Sequence, residues 1–97
     1  MKSVIRTSFN QLRKYRKARG LSQIEAARRL GLKSTARLSR WENGKCLPNS
    51  WNMLWLAAVY HVQVDALFID VLREMRRAVG RREQQELDHK HDRPTAK

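Results

Sequence analysis

Apolar residues recur along the first four-fifths of the chain at the three- and four-residue spacing of amphipathic helices. The first predicted helix covers residues 7–19, with Thr7 or Ser8 as its cap and Gly20 as its end. Its apolar positions lie three residues apart at Phe9, Leu12 and Tyr15. This spacing predicts a helix with one buried face.

Two further helices follow closely, separated by a tight turn. Ser22 caps the second helix, and Glu25, three residues later, completes a capping box. Gly31 closes that helix, and the third is predicted over roughly 35–42. The cap, buried pair and end of the third helix are Ser34, Leu38 with Trp41, and Gly44. Two short helices joined by a turn have the layout of a helix-turn-helix, which places its second helix in the DNA major groove.

The remaining pattern predicts two more helices and a polar tail. Asn49 or Ser50 caps a fourth helix at roughly 50–60, and Asp65 caps a fifth that runs to about Val79. Gly80 stops it. Residues 81–97 hold one large apolar side chain, Leu87, so we expect a flexible tail with some helix near 81–87. The predicted division is a DNA-binding domain over 1–80 and a tail over 81–97, with five helices and no sheet.

The charge is unevenly distributed. The formal net charge is +12. Residues 1–64 hold five lysines and eight arginines against Glu25 and Glu42, a net +11, whereas residues 65–97 carry +1. The positive field therefore belongs to the predicted helix-turn-helix, and such a field attracts polyanions.

The sequence offers little support for a disulfide, a membrane span, a metal site or a catalytic site. Cys46 is the only cysteine, which excludes an intrachain disulfide and fits a cytoplasmic protein, nucleoid-associated when DNA-bound. No apolar run is long enough to span a membrane. His89 and His91 with Asp88 and Asp92 are better explained as a solvated tail than as a metal site. We expect no enzyme activity and no cofactor.

The helix-turn-helix residues resemble the Cro and Xre-like family of phage-repressor type over about Leu12 to Phe68. The motifs that carry the resemblance are Gly20-Leu21-Ser22-Gln23, Leu30-Gly31-Leu32, Leu38-Ser39-Arg40-Trp41-Glu42-Asn43-Gly44-Lys45, Leu56-Ala57 and Val64-Asp65-Ala66-Leu67-Phe68. The resemblance implies a compact, lambda-repressor-like, all-helical domain that binds double-stranded DNA, typically as a repressor on a two-fold symmetric operator.

The resemblance also implies roles for individual residues. Gln23 anchors near the DNA backbone, while Asn43 and Lys45 meet phosphate. The start of the recognition helix falls among Lys33, Ser34 and Thr35, because the turn is one residue longer than the family's usual pattern. The first turns of the recognition helix face the base edges, and the residues at those positions are Thr35, Ala36, Arg37 and Arg40. Arg16 and Glu42 match an Arg–Glu contact of the family, so we expect an internal ion pair.

Arg37 and Arg40 are three residues apart and share a helix face, and arginine forks onto guanine O6 and N7. The alternative is that both contact phosphate or solvent. Ile24, Trp51 and Trp55 stand where the family normally has polar residues.

Trp51, Trp55 and Ala58 form a helical stripe separate from the apolar positions available to the core. Exposed tryptophan favours a partner surface. We expect a homodimer that pairs through Trp51 and Trp55 together with Leu72 and Met75 of the fifth helix. The leading function is a sequence-specific transcription regulator. The alternative is an antitoxin that neutralises a toxin protein through the tryptophan stripe or the tail and binds its own promoter. An RNA-binding module is weaker, since no aromatic stacking platform on a sheet is predicted.

Overall fold

The computed structural model describes residues 10–92, with side chains described for 10–90. This part of the chain contains helices and no strand, so the all-α prediction is confirmed. Its six helices are α1 (Leu12–Ala18), α2 (Gln23–Arg29), α3 (Ala36–Glu42), α4 (Ser50–Tyr60), α5 (Val64–Leu67) and α6 (Ile69–Asp92). The predicted cap at Thr7 or Ser8 and the apolar Phe9 lie outside the described residues.

One apolar core joins all six helices, and Val71 is the contribution of α6. Its completely buried leucines are Leu12, Leu38, Leu56 and Leu67, one each from α1, α3, α4 and α5. Ala26 of α2 is also fully buried, and its small side chain lets α2 pack closely. Trp41 and Tyr60 supply the largest buried surfaces, as aromatic residues do in small domains.

Helix α1 begins at Leu12, five residues later than the sequence pattern predicts. Asn10 and Gln11 precede it: Asn10 Oδ1 accepts a hydrogen bond from the Leu12 N–H at 3.0 Å, and its Nδ2 donates to the Trp41 carbonyl at 2.9 Å. The Gln11 N–H donates to the Leu67 carbonyl at 2.9 Å. These tertiary hydrogen bonds hold residues 10 and 11 outside the helix.

The turn between α2 and α3 follows the local signals closely. The capping box is present, with Ser22 Oγ accepting from the Glu25 N–H and Glu25 Oε1 accepting from the Ser22 N–H. Gly31 takes a φ of 78°, which permits the Leu32 N–H to reach back to the Ala27 carbonyl. Both predictions are confirmed.

Helix α3, the second helix of the predicted helix-turn-helix, starts one residue later than expected. Thr35 is the N-cap and makes no side-chain capping bond, while Ser34 Oγ accepts from the Ala36 N–H at 3.3 Å. Ser34 therefore supports the first turn from one position further out. The three residues left open by the long turn, Lys33, Ser34 and Thr35, all precede the helix.

The predicted fifth helix is two helices, α5 and α6, divided at Phe68. The Leu67 carbonyl accepts from the Gln11 N–H of the neighbouring chain segment, and this contact accompanies the break. Gln63 is the N-cap of α5, so Asp65 lies within its first turn and the prediction of Asp65 as a cap is wrong.

Gly80 does not stop the last helix, which continues to Asp92. A glycine weakens a helix interior by about 1 kcal/mol but ends it only by turning left-handed, and Gly80 lacks a positive φ. Good helix formers follow it, including Arg81, Arg82 and Glu83. Every side chain from Val79 to Lys90 is exposed, so this half of α6 projects from the core.

Tyr60 carries the one buried side-chain polar atom that lacks a hydrogen-bond partner in the described residues, its phenolic oxygen. Burial raises the pKa of this phenol, so it stays neutral. We expect Tyr60→Phe to leave the free energy of unfolding unchanged or to raise it by up to about 1 kcal/mol, because the desolvated hydroxyl is removed and the ring is kept.

Urea denaturation followed by circular dichroism measures this difference. Tyr60→Leu is the control, since it removes ring volume and should cost about 2 kcal/mol or more. A loss of more than about 1 kcal/mol in Tyr60→Phe would show that the hydroxyl makes a stabilising bond.

Candidate nucleic-acid interface

Helix α3 divides cleanly into a buried and an exposed side. Leu38 and Trp41 are buried in the core, whereas Ala36, Arg37 and Arg40 are exposed. Lys33 and Ser34 in the preceding turn and Lys45 after the helix are exposed as well, and Thr35 is half-buried. The candidate DNA-contacting side chains therefore lie along the free side of α3 and at its two ends.

A buried ion pair fixes the C-terminal end of α3. Arg16 Nε donates to Glu42 Oε2 at 2.6 Å, and Arg16 NH2 donates to Glu42 Oε1 at 3.1 Å, the two-pronged geometry that arginine makes with carboxylates. Arg16 NH1 also donates to the Leu21 carbonyl at 2.9 Å. The structure thus brings together the pair expected from the resemblance, and α1 holds both α2 and α3.

Glu42 is the centre of a larger polar network. Its Oε1 also accepts from Gln23 Nε2 at 3.0 Å and from Arg13 Nε at 3.5 Å. Burial alone would raise the pKa of Glu42, but the hydrogen bonds from Arg16, Gln23 and Arg13 and the charge of Arg16 outweigh it, so the pKa lies below its usual range. The same hydrogen bond raises the pKa of Arg16. Both groups are therefore charged at neutral pH.

Two residues expected at phosphate have internal partners. Gln23 is half-buried against Glu42. Asn43 is the C-cap of α3; its Oδ1 accepts from Arg13 NH2 at 3.1 Å, and its Nδ2 lies 3.4 Å from Ser39 Oγ. Their geometry links the recognition helix to α1 and α2.

Arg13 is a contributor that the sequence analysis did not identify. Its side chain is about half exposed yet reaches both Glu42 and Asn43 at the end of α3. The signal available in the sequence was its spacing, since Arg13 stands three residues before Arg16 and so shares its side of α1. Arg13 places a cation beside the loop that carries Lys45.

The cations of this surface are not neutralised by neighbouring acids. Glu25 is engaged in the capping box and Glu42 in the network. Lys33, Arg37, Arg40 and Lys45 make no ion pair within the part of the chain that the structure describes. Two shallow depressions meet at Lys33, one bordered by Arg28 and the other by Arg37. We call the surface formed by these four cations the cationic ridge. The ridge and its two depressions suit a phosphate backbone.

The apolar residues predicted for a dimer or partner interface line two depressions. Trp51, Leu54, Trp55 and Ala58 line a patch on the outer side of α4, opposite the buried Leu56 and Tyr60. Leu72 and Met75 line a separate groove between α4 and α6, which includes Leu47 and Met53. The two sets share no residue, and the assignment of Trp51, Trp55, Leu72 and Met75 to a dimer or partner interface stays a prediction.

Comparison with known proteins agrees with this geometry. A family model described as helix-turn-helix matches residues 12–67, more than half of the chain. The chain belongs to the Xre/Cro-like helix-turn-helix family. No curated protein and no solved structure matches it significantly.

Membership makes the chain a DNA-binding helix-turn-helix regulator, in a family that is typically non-enzymatic. The matched region contains α1 to α5, so the cationic ridge and the Arg16–Glu42 network both lie inside the family domain. All of α6 lies beyond it. Within the described residues no helix is long and apolar enough to cross a membrane.

The network predicts a specific pH dependence of stability. Because the pKa of Glu42 is lower in the folded state than in the unfolded state, its contribution is fully present above the unfolded value of about 4.3 and is lost as pH falls below it. Glu42→Gln leaves Arg16 buried without a charged partner, so it should lower the free energy of unfolding by about 3 kcal/mol at pH 7. The difference between wild type and variant should shrink between pH 5 and pH 3.

Urea denaturation at each pH measures the difference. Glu25→Gln is the matched control: glutamine also completes a capping box, so its stability at pH 7 should stay close to wild type. Equal stability of Glu42→Gln and wild type at pH 7 would contradict a central role for the network.

Proposed function

We propose that this protein is a sequence-specific transcription regulator that acts as a homodimer on a near-palindromic operator, most simply as a repressor. The supporting observation is the exposed cationic side of α3, held in place at its far end by buried hydrogen bonds. One recognition helix covers too few base pairs for useful specificity in a genome. Two copies related by a two-fold axis, with half-sites about 10 base pairs apart, supply the rest.

Roles divide along α3 according to exposure and charge. Arg37 and Arg40 read base edges, because both are exposed on the same side and arginine recognises guanine with two hydrogen bonds. Ala36 contacts a thymine methyl group. Thr35, the N-cap of α3, lies at the base edges with Ala36, and Lys33, Ser34, Asn43 and Lys45 meet the sugar-phosphate backbone at the two ends of the helix. Gln23 positions α2 against it, assisted by the free N–H groups at the start of α2.

Selection of bound sites from a random pool of double-stranded DNA tests this proposal. The expected result is a near-palindrome. Arg37→Ala or Arg40→Ala should relax the base preference at one position of each half-site and reduce the binding free energy by about 1–3 kcal/mol. Arg29→Ala, on the exposed side of α2, is the control and should leave the preference unchanged. Recovery of no preferred sequence would contradict the proposal.

Lys45 provides an independent electrostatic test. With about 6 phosphate contacts per dimer, the slope of log affinity against log salt should be roughly −5. Lys45→Ala should weaken binding to all sequences alike and make the slope shallower by about 1 for each lysine lost, whereas Lys45→Arg should keep it. A change in base preference in Lys45→Ala would show that Lys45 reads bases.

The exposed tryptophan patch favours a second candidate, an antitoxin that binds a toxin protein and regulates its own promoter. Trp51 is 67% exposed, Leu54 59% and Trp55 45%. An exposed apolar patch of this kind is typical of a site that binds another protein. Tryptophans are frequent anchors of protein interfaces. In this candidate Trp51 and Trp55 contact the toxin, while Leu72 and Met75 belong to the dimer.

The toxin candidate predicts that a neighbouring gene product arrests growth when expressed alone and that this chain relieves the arrest. Trp55→Glu should abolish relief while retaining operator binding, because a desolvated charge disrupts the patch and α3 is untouched. Arg37→Ala should show the opposite pattern. Full relief by Trp55→Glu would exclude the patch as the toxin contact.

A further inference from the structure

One side of α6 carries a regular stripe of residues that is half-buried at Leu72 and exposed from Arg76 onward. The stripe consists of Leu72, Arg76, Val79, Glu83 and Leu87, at helical spacings of three and four. Val79 is 47% exposed and Leu87 59% exposed. Arg76 and Glu83 have no hydrogen bond or ion pair within the described residues. The projecting half of α6 thus presents apolar and charged groups with nothing to pair with.

The charges on α6 change sign part-way along the helix. Residues 73–82 hold five arginines against Glu74, whereas residues 83–90 hold three acids against Lys90. Two copies of α6 side by side in the same direction would set arginine against arginine and acid against acid. In opposite directions, the arginines near the start of α6, Arg73 and Arg76, can lie along the acidic segment of the other copy, which is the favourable arrangement.

We propose that the α6 helices of two copies pair antiparallel, with the two-fold axis passing between Val79 and Gly80. Leu72 and Leu87 lie at equal distances on either side of that axis, and so do Arg76 and Glu83. The register therefore sets Leu72 against the partner subunit's Leu87 and Arg76 against the partner subunit's Glu83. Gly80, which has no Cβ, allows the two backbones to approach closely at the crossing.

The apolar groove on the body supports the same register. Leu72 borders the groove that includes Leu47, Met53 and Met75. The partner subunit's Leu87, placed against Leu72, enters this groove, which gives both the exposed leucine and the groove an occupant. A second copy is favoured over an unrelated protein because both halves of the complementary pattern lie on one helix, as a two-fold symmetric interface requires.

This pairing names the surface of the dimer invoked in the proposed function, yet it is tested without DNA. Sedimentation equilibrium measures the dimer dissociation constant. Arg76→Glu alone and Glu83→Arg alone should each weaken the dimer about tenfold or more, because like charges then face each other. The double variant, Arg76→Glu with Glu83→Arg, should restore it to within about threefold.

Arg81→Glu is the matched control. It makes the same change of charge on the opposite side of α6 and should leave the dissociation constant within about threefold of wild type. A failure of the double variant to recover, or an equal loss in Arg81→Glu, would overturn the assigned stripe.

Disulfide trapping decides the direction, in a background with the exposed Cys46 changed to serine. A mixture of a Leu72→Cys chain with a Leu87→Cys chain should form a mixed disulfide. Leu87→Cys alone should form none, since the two Leu87 positions lie about 22 Å apart in the antiparallel pair. A Leu87→Cys homodimer would show parallel pairing and overturn the proposal.

The two proposals fail separately. A wild-type chain that is monomeric at all concentrations, yet selects a defined operator, would overturn the α6 pairing and leave the regulator. An intact antiparallel dimer that shows no preference among DNA sequences would overturn the proposed function and leave the pairing.

Discussion

The Arg16–Glu42 ion pair is the interaction on which the arrangement of the helix-turn-helix depends. It joins the middle of α1 to the last residue of α3, while the same guanidinium holds the Leu21 carbonyl before α2. Removing one partner would leave a buried charge, so the pair makes the position of α3 costly to change. The ion pair fixes the orientation of α3 from its C-terminal end. The exposed side chains of its first turns therefore need not hold the helix in place and are available to a ligand.

That constraint also shapes the electrostatics of the surface. Of the acids in residues 10–64, Glu42 is consumed by the network and Glu25 by the cap of α2. The stabilising carboxylates thus serve the fold, while Lys33, Arg37, Arg40 and Lys45 remain unpaired by any described acid. Stability and a positive field arise together, because Glu42 is buried and Glu25 is engaged in the cap of α2, while these four cations are exposed.

Local signals predicted the elements well where the local chain determined them. Ser22 with Glu25, Gly31 and Gly44 placed the limits of α2 and the end of α3. Asn49 and Ser50 were the two candidate caps of α4, and the structure has Asn49 as the cap. The errors arose where tertiary bonds intervened, as when the Gln11 N–H bonded to Leu67 at the break between α5 and α6. The prediction that Gly80 ends the last helix was wrong because glycine permits, but does not require, the left-handed conformation that ends a helix. The contacts of Arg13 were unpredicted, since only the packed helices bring it to Asn43.

The continuation of α6 through Gly80 changes what the rest of the molecule can do. A chain that stopped there would leave Leu87 and the acidic segment without a fixed relation to the domain. As one helix, α6 sets Glu83 and Leu87 at defined distances from Arg76 and Leu72. It borders the groove beside Leu72, whereas the tryptophan patch is lined by residues of α4 alone. A protein with two apolar surfaces on different sides can pair with its own copy through one and still offer the other, so dimerisation and partner binding need not compete.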